Sequence, residues 1–238
     1  MAKTNPTLGP NSGKIGDLVY YTRFGKEFVR RKAETFNDCK SEAQLRQRAI
    51  FKATQQTAAL YGSMLQRGLT KYAHSQGHTE ANEFSRLNKG CFAYVDGKVT
   101  VDYSVLQLAC GPIPPVSFVT CHADGHHIEL SFEADLAYDG ARPDDIVHIY
   151  VVSPQVEVCM QIISVERQME HVVFDLPDLG NEVVSSRNIP FYLYAIVESS
   201  NTASIPTLSA DEKKAKKLHR NISRRVSNSI FISVITVE

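Results

Sequence analysis

Tryptophan is absent from the 238 residues, and the five cysteines (Cys39, Cys91, Cys110, Cys121 and Cys159) are scattered, odd in number and without a Cys-x-x-Cys pair. The first absence removes the Cys…Trp…Cys signature of antibody-type domains. The second argues against a disulfide framework or a zinc ribbon and leaves reduced thiols. The longest apolar run, Phe191 to Val197, is about a third of the ~20 residues that a membrane helix needs. Around Met1-Ala2-Lys3-Thr4-Asn5-Pro6 there is no apolar stretch of the kind a secretory signal carries. The expectation is cytoplasmic synthesis without a membrane partner. Gly-x-Ser-x-Gly and His-Glu-x-x-His are both missing. Gly9-Pro10-Asn11-Ser12-Gly13-Lys14 falls short of a phosphate loop, because Ile15 stands where a magnesium-binding Ser or Thr is needed and the glycine spacing is one residue short. No catalytic residue and no cofactor is expected.

What is present is an ordinary globular composition, 43% hydrophobic, with charge sorted along the chain. The formal net charge is zero. Residues 1–72 nevertheless carry 13 Lys and Arg against 5 Asp and Glu, and residues 73–212 carry 6 against 20. Residues 213–238 return to 7 basic against the single acid Glu238. A basic head, an acidic body and a basic late segment attract one another between copies as readily as within one. Among the basic residues, Arg30, Arg31, Lys32, Arg46 and Arg48 are the candidates for contacting an acidic neighbour. The late run from Lys213 to Arg225 has no interleaved aromatics, which single-strand binding usually uses.

The chain reads as an α+β protein in four stretches. Residues 1–38 are a basic arm and β-hairpin: Pro6, Gly9, Pro10 and Gly13 keep residues 1–14 extended, and Ile15–Tyr21 and Lys26–Lys32 form strands around a turn at Arg23-Phe24-Gly25. Residues 39–95 are helical, opened by a capping box at Ser41-x-x-Gln44. Leu45, Ala49, Ala53, Leu60, Met64 and Tyr72 give one apolar stripe, weakened at Gly62 and Gly68, and Thr79–Leu87 gives a second short helix. Residues 96–115 are a linker ending in Gly111-Pro112-Ile113-Pro114-Pro115. Residues 116–238 switch to period-two alternation over Val116–Cys121, His127–Phe132, Asp145–Val152, Val156–Ser164, His171–Leu176, Phe191–Val197 and Ser229–Val237. About seven short strands imply an immunoglobulin- or fibronectin-like β-sandwich. Asp144-Asp145, behind a proline and ahead of a strand, reads as turn chemistry.

The one local cluster with ligand chemistry runs from Cys121 to His127. A turn at Asp124-Gly125 would pair His122 with His127 and put Glu129 on the same face. His122, His127 and Glu129 are therefore the metal candidates. A wet hairpin face explains the same residues without a metal.

Ser12-Gly13-Lys14-Ile15-Gly16, Val19, Gly25, Val29-Arg30, Gln44-x-x-Gln47-Arg48-x-x-Phe51 and Val101-Asp102-Tyr103-Ser104 occur in that order. This layout resembles an uncharacterised domain family found in Bacteroidota and phage-like contexts. The chain departs from it in lacking the family's hairpin Trp and in having Asn37-Asp38-Cys39-Lys40 before the helix. The resemblance implies no catalytic residue. The expectation is a non-enzymatic structural protein, a phage or prophage-like virion component that associates with itself or with other structural proteins. The alternative is a nucleic-acid-associated module using the same basic ends.

Overall fold

The computed structural model describes residues 12–23, 26–35, 38–124, 126–176, 189–200 and 225–237. Its contacts divide the chain between Leu45 and Arg46.

The first unit holds β1 (Gly13–Ile15), β2 (Leu18–Arg23) and β3 (Lys26–Arg31), an antiparallel sheet in chain order. The extended arm expected over residues 1–14 is therefore too long at its end. Gly13 and Lys14 pair with Tyr20 and Val19, and Gly16 at φ 56° makes the tight connection that only a glycine takes without strain. Residues 1–11 and the Phe24-Gly25 turn lie outside the described residues. The capping box forms as the spacing predicts: Gln44 N donates to Ser41 Oγ at 3.4 Å, and Ser41 N to Gln44 Oε1 at 3.3 Å.

Helix α1 (Glu42–Leu60) follows the box and continues into the second unit. The long helix is interrupted in its second half, beside the two glycines that weaken the stripe, Gly62 and Gly68. The chain turns at Tyr61 and Leu69, giving α2 (Gly62–Gly68) and α3 (Thr70–Ser75), although Leu65 N, Leu69 N and Ala73 N still reach the carbonyl four residues back. Burial also starts late: Leu45 and Phe51 are exposed, and the inward face runs through Thr54, Thr57 and Ala58 to Met64 and Leu65. Gly68 sits against Ala109 and the Leu108 carbonyl. Helix α4 (Glu80–Leu87) is capped by Thr79, whose side chain accepts from Asn82 N.

A hairpin that the sequence reading lacks follows: β4 (Phe92–Val95) and β5 (Lys98–Val101), joined by Asp96 and Gly97 at φ 49° and 79°. Two positive φ values identify the type I′ turn favoured by Asp-Gly. The stretch 96–115 is packed rather than free, with Leu106, Leu108 and Ala109 buried and Ile113 bridged to Ser227.

Each of the seven alternating segments is a strand: β6 (Ser117–Asp124), β7 (His127–Glu133), β8 (Ile146–Ser153), β9 (Val158–Glu166), β10 (His171–Asp175), β11 (Ile189–Glu198) and β12 (Ile230–Val237). They form two antiparallel sheets, ordered β10-β7-β6 and β12-β11-β8-β9. Ile128, Leu130 and Phe132 of β7 and Val172 and Phe174 of β10 share one core with Val147, Ile149 and Val151 of β8 and Leu193, Ala195 and Val197 of β11. The alternate residues of the second sheet, Tyr150, Val152, Tyr194 and Ile196, join a second core with Tyr61, Met64, Leu65, Leu69, Phe84 and Leu108. Strand β8 is thus covered on both faces, which is why it reads as an almost unbroken apolar run.

Asp145 closes the expected turn, its N–H donating to the Arg142 carbonyl at 3.2 Å, and its side chain does more. Its carboxylate is buried beside the buried Arg167 guanidinium, Nη1 to Oδ2 at 3.5 Å, and accepts from Arg142 N at 3.0 Å. Arg167 Nη2 also donates to the carbonyls of Pro114 and Pro115, tying the proline stretch to the sheets.

Candidate functional site

The basic N-terminal sheet has no core of its own: none of the described residues up to Leu45 is buried. Residues directly opposite in an antiparallel pair share a face. The register Lys14↔Val19↔Arg30, Tyr21↔Phe28 and Arg23↔Lys26 therefore sorts Lys14, Val19, Tyr21, Lys26, Phe28 and Arg30 onto one face. There Tyr21 and Phe28 stack with centroids 5.5 Å apart. The other face carries Ile15, Leu18, Tyr20 and Val29, with Arg31 opposite Leu18. Ile15, Leu18 and Val29 are exposed.

The five candidate cations consequently do not make one patch. Arg30 and Arg31 lie on opposite faces, and Arg31 pairs with Glu34 at 3.1 Å in full view of solvent, a contact worth little. Lys32 is exposed just past β3, its backbone N–H bonded to Asp17 O. Arg46 is held locally, 5.7 Å over the Tyr94 ring and 3.4 Å from the Tyr94 carbonyl. Arg46 and Arg48, two positions apart on α1, project in different directions around the helix. The late basic run, Arg225 apart, lies outside the described residues.

The metal candidates share a face, but with a different pairing from the one expected. Asp124 pairs with His127 and His122 with Glu129, because Asp124 belongs to the strand rather than to the turn. His127 Nδ1 bonds Asp175 at 2.8 Å, and Glu129 instead meets His171, a residue the sequence reading did not single out, at 2.8 Å. Among the described residues no group of three ligating side chains stands ready around one point.

Two ionic clusters in the second unit invite a catalytic reading and do not support it. His148 lies between Ser164 (Nδ1 to Oγ, 2.8 Å) and Glu198 (Nε2 to Oε2, 3.2 Å), the composition of a nucleophile–base–acid triad. Arg67 Nη1, however, is 2.7 Å from His148 Nε2. A guanidinium can only donate, so Nε2 accepts and the ring hydrogen is on Nδ1, facing Ser164. Gln161 Nε2 donates to the same Ser164 oxygen. That oxygen is an acceptor twice over, the reverse of an activated nucleophile. An open cleft of about 690 Å³ lined by Gln56, Leu60, Val101, Tyr103, Glu157 and Cys159 offers only one thiol. Burial pushes the Cys159 thiol up to about 11, so it stays protonated at neutral pH.

The second cluster ties α4 to the loop before it. Glu83, fully buried, accepts from Arg86 Nε at 2.9 Å and meets His78 Nδ1 at 2.7 Å. Burial raises its carboxyl, but the bonds from Arg86 and His78 more than offset this, and the net position is below the ordinary 4.5. A carboxyl lowered on folding stabilises the fold above its unfolded value and loses that contribution as pH falls through the folded one. Urea unfolding should show stability dropping between pH 5 and pH 3, and dropping less in Glu83→Gln. Equal losses in the two proteins would contradict this.

No helix among the described residues is long and apolar enough to cross a membrane. Comparison with protein-family models, with curated proteins and with solved structures finds no match to this chain.

Proposed function

We propose that the chain is a non-enzymatic structural protein that assembles with copies of itself, or with other structural proteins, through its basic N-terminal sheet, as a component of a virion or virion-like particle. One observation carries this reading: among the described residues of β1–β3 no side chain is buried. Two or three strands with no covered face do not offset the entropy of ordering them in water. Such a sheet acquires its missing core from a partner. The charge chooses the partner, since the acidic stretch 73–212 of a second copy complements the basic head. In this reading Ile15, Leu18 and Val29 supply the apolar contact, and Lys14, Lys26, Arg30, Arg31 and Lys32 supply salt-sensitive steering.

The C-terminal strands serve as the scaffold. Their order, with the first, second and fifth in one sheet and the third, fourth, sixth and seventh in the other, supports an immunoglobulin- or fibronectin-like sandwich.

Size-exclusion chromatography with light scattering, at low and high salt and read at 260 and 280 nm, tests the proposal. A defined oligomer free of nucleic acid and loosened by salt is expected. Replacing Arg30, Arg31 and Lys32 together by Glu should weaken that oligomer at least about tenfold, on the basis that like charges across a contact cost several kcal/mol. The circular dichroism of the β-rich part should stay unchanged. Unaltered assembly in the triple variant removes the proposal. A second reading has its own support: the Tyr21–Phe28 stack flanked by Lys14, Lys26 and Arg30 combines ring and cation as single-strand binders do. It expects a monomer with high 260 nm absorbance in the same experiment.

A further inference from the structure

The outward face of β10-β7-β6 gathers histidines from three strands around one carboxylate. Strand β7 runs between its two neighbours, so Glu129 has His122 directly opposite on β6 and Val173 opposite on β10. One pair further along β10, His171 stands opposite Ser131 and reaches back diagonally, Nε2 to Glu129 Oε1 at 2.8 Å. His127, two residues before Glu129 on β7, is occupied by Asp175. Glu129 and His171 are both about half exposed, so their rings and oxygens are open to solvent on one side.

We propose that His122, Glu129 and His171 form a binding site for one first-row divalent transition-metal ion, zinc, nickel or copper, on this face. Two imidazole nitrogens and one carboxylate oxygen are the donors these ions prefer. Two ligands at about 2.0–2.1 Å from a tetrahedral ion are roughly 3.3 Å apart, so the His171–Glu129 hydrogen bond needs to open by only about 0.5 Å to admit one. Directly opposed side chains have Cβ atoms about 4.5–5.5 Å apart, which brings the His122 ring within reach of the Glu129 carboxylate by rotation of its side chain alone. Binding replaces the hydrogen between Nε2 and Oε1. A neutral imidazole carries its single ring hydrogen in that bond, so the hydrogen moves to Nδ1 as Nε2 takes the metal, and no net proton is released. The bond from His171 first, and further the neighbouring His122 and His127, hold the Glu129 carboxyl below its ordinary value. The site is independent of the assembly proposed for the N-terminal sheet.

Isothermal titration of the full chain with zinc chloride and with nickel chloride at pH 7.5 tests this. One saturable equivalent is expected, weakened at least about tenfold in His122→Ala and in His171→Ala, since each removes a ligand. His126→Ala and His127→Ala should bind within about twofold of the parent. Absence of saturable uptake overturns the proposal. So does uptake that is unchanged in His122→Ala and His171→Ala, or that tracks His127 instead. All four positions are exposed, so the variants are expected to fold, and matching circular dichroism spectra verify it.

Discussion

Arg167→Ala is expected to destabilise the second unit by about 3–5 kcal/mol, the cost of leaving a buried charge without its partner. The guanidinium is wholly inside, and burial holds its pKa below the usual arginine value against the pull of Asp145 and Asp135. Asp145 would remain buried with one oxygen, Oδ1, that already lacks a partner, and the carbonyls of Pro114 and Pro115 would lose their donor. Urea denaturation followed by far-ultraviolet circular dichroism gives the number, and a loss below about 1 kcal/mol would show that water had replaced the guanidinium at little cost. Asp145→Ala should cost a similar amount for the mirror-image reason. The double variant Asp145→Leu with Arg167→Leu should cost less than the two single alanine changes combined, because no unpaired charge is left behind.

Gly111→Ala should be the most damaging small substitution. A methyl group there would meet the Val226 carbonyl oxygen at 2.0 Å and the Val226 carbonyl carbon at 2.9 Å. Backbone on both sides means that neither partner can swing away. The same Val226 carbonyl accepts from Ile113 N at 3.1 Å, and Gly111 N donates to Asn228 Oδ1 at 3.2 Å, so moving the chain apart breaks the bonds that hold 111–113 to 226–228. A loss of about 3 kcal/mol, the upper end for overpacking, is expected in thermal and urea unfolding. Gly62→Ala is the control: nothing lies near its missing side chain, and a gain of about 0.5–1 kcal/mol in helix propensity is expected. If Gly111→Ala unfolds like the parent, 111 and 226 are not in the close approach described.

What the sequence made legible was whatever is encoded locally. The Ser41–Gln44 box, the short helix near Thr79–Leu87 and the seven alternating strands each follow from residues a few positions apart. The missed hairpin was equally local: Val95-Asp96-Gly97-Lys98 carries the Asp-Gly signal between β-formers, and Asp124-Gly125 was read with that signal while the register put Asp124 in the strand. Long-range partnerships were hidden for a different reason. Asp145 and Arg167 are 22 positions apart and His171 and Glu129 are 42 apart, and nothing in either neighbourhood distinguishes a paired charge from a solvated one. The same holds for Gly111, whose requirement for space is set by Val226. For the basic cluster, alternation along β3 already separates Arg30 from Arg31, a consequence of strand pleating that a count of nearby charges conceals.

Strand β8 also decides which pieces of this chain can exist alone. Its odd-numbered side chains belong to the core between the sheets, and its even-numbered ones, Tyr150 and Val152, are roofed by the helices together with Tyr194 and Ile196 of β11. A fragment starting at Val116 would keep every strand of the two sheets and expose that aromatic and aliphatic surface to water, an aggregation liability rather than a portable module. Inheritance or transplantation of the β-rich part therefore has to carry the helical roof with it, and the severable boundary is the one between Leu45 and Arg46, inside a helix whose exposed first turns commit little to either side.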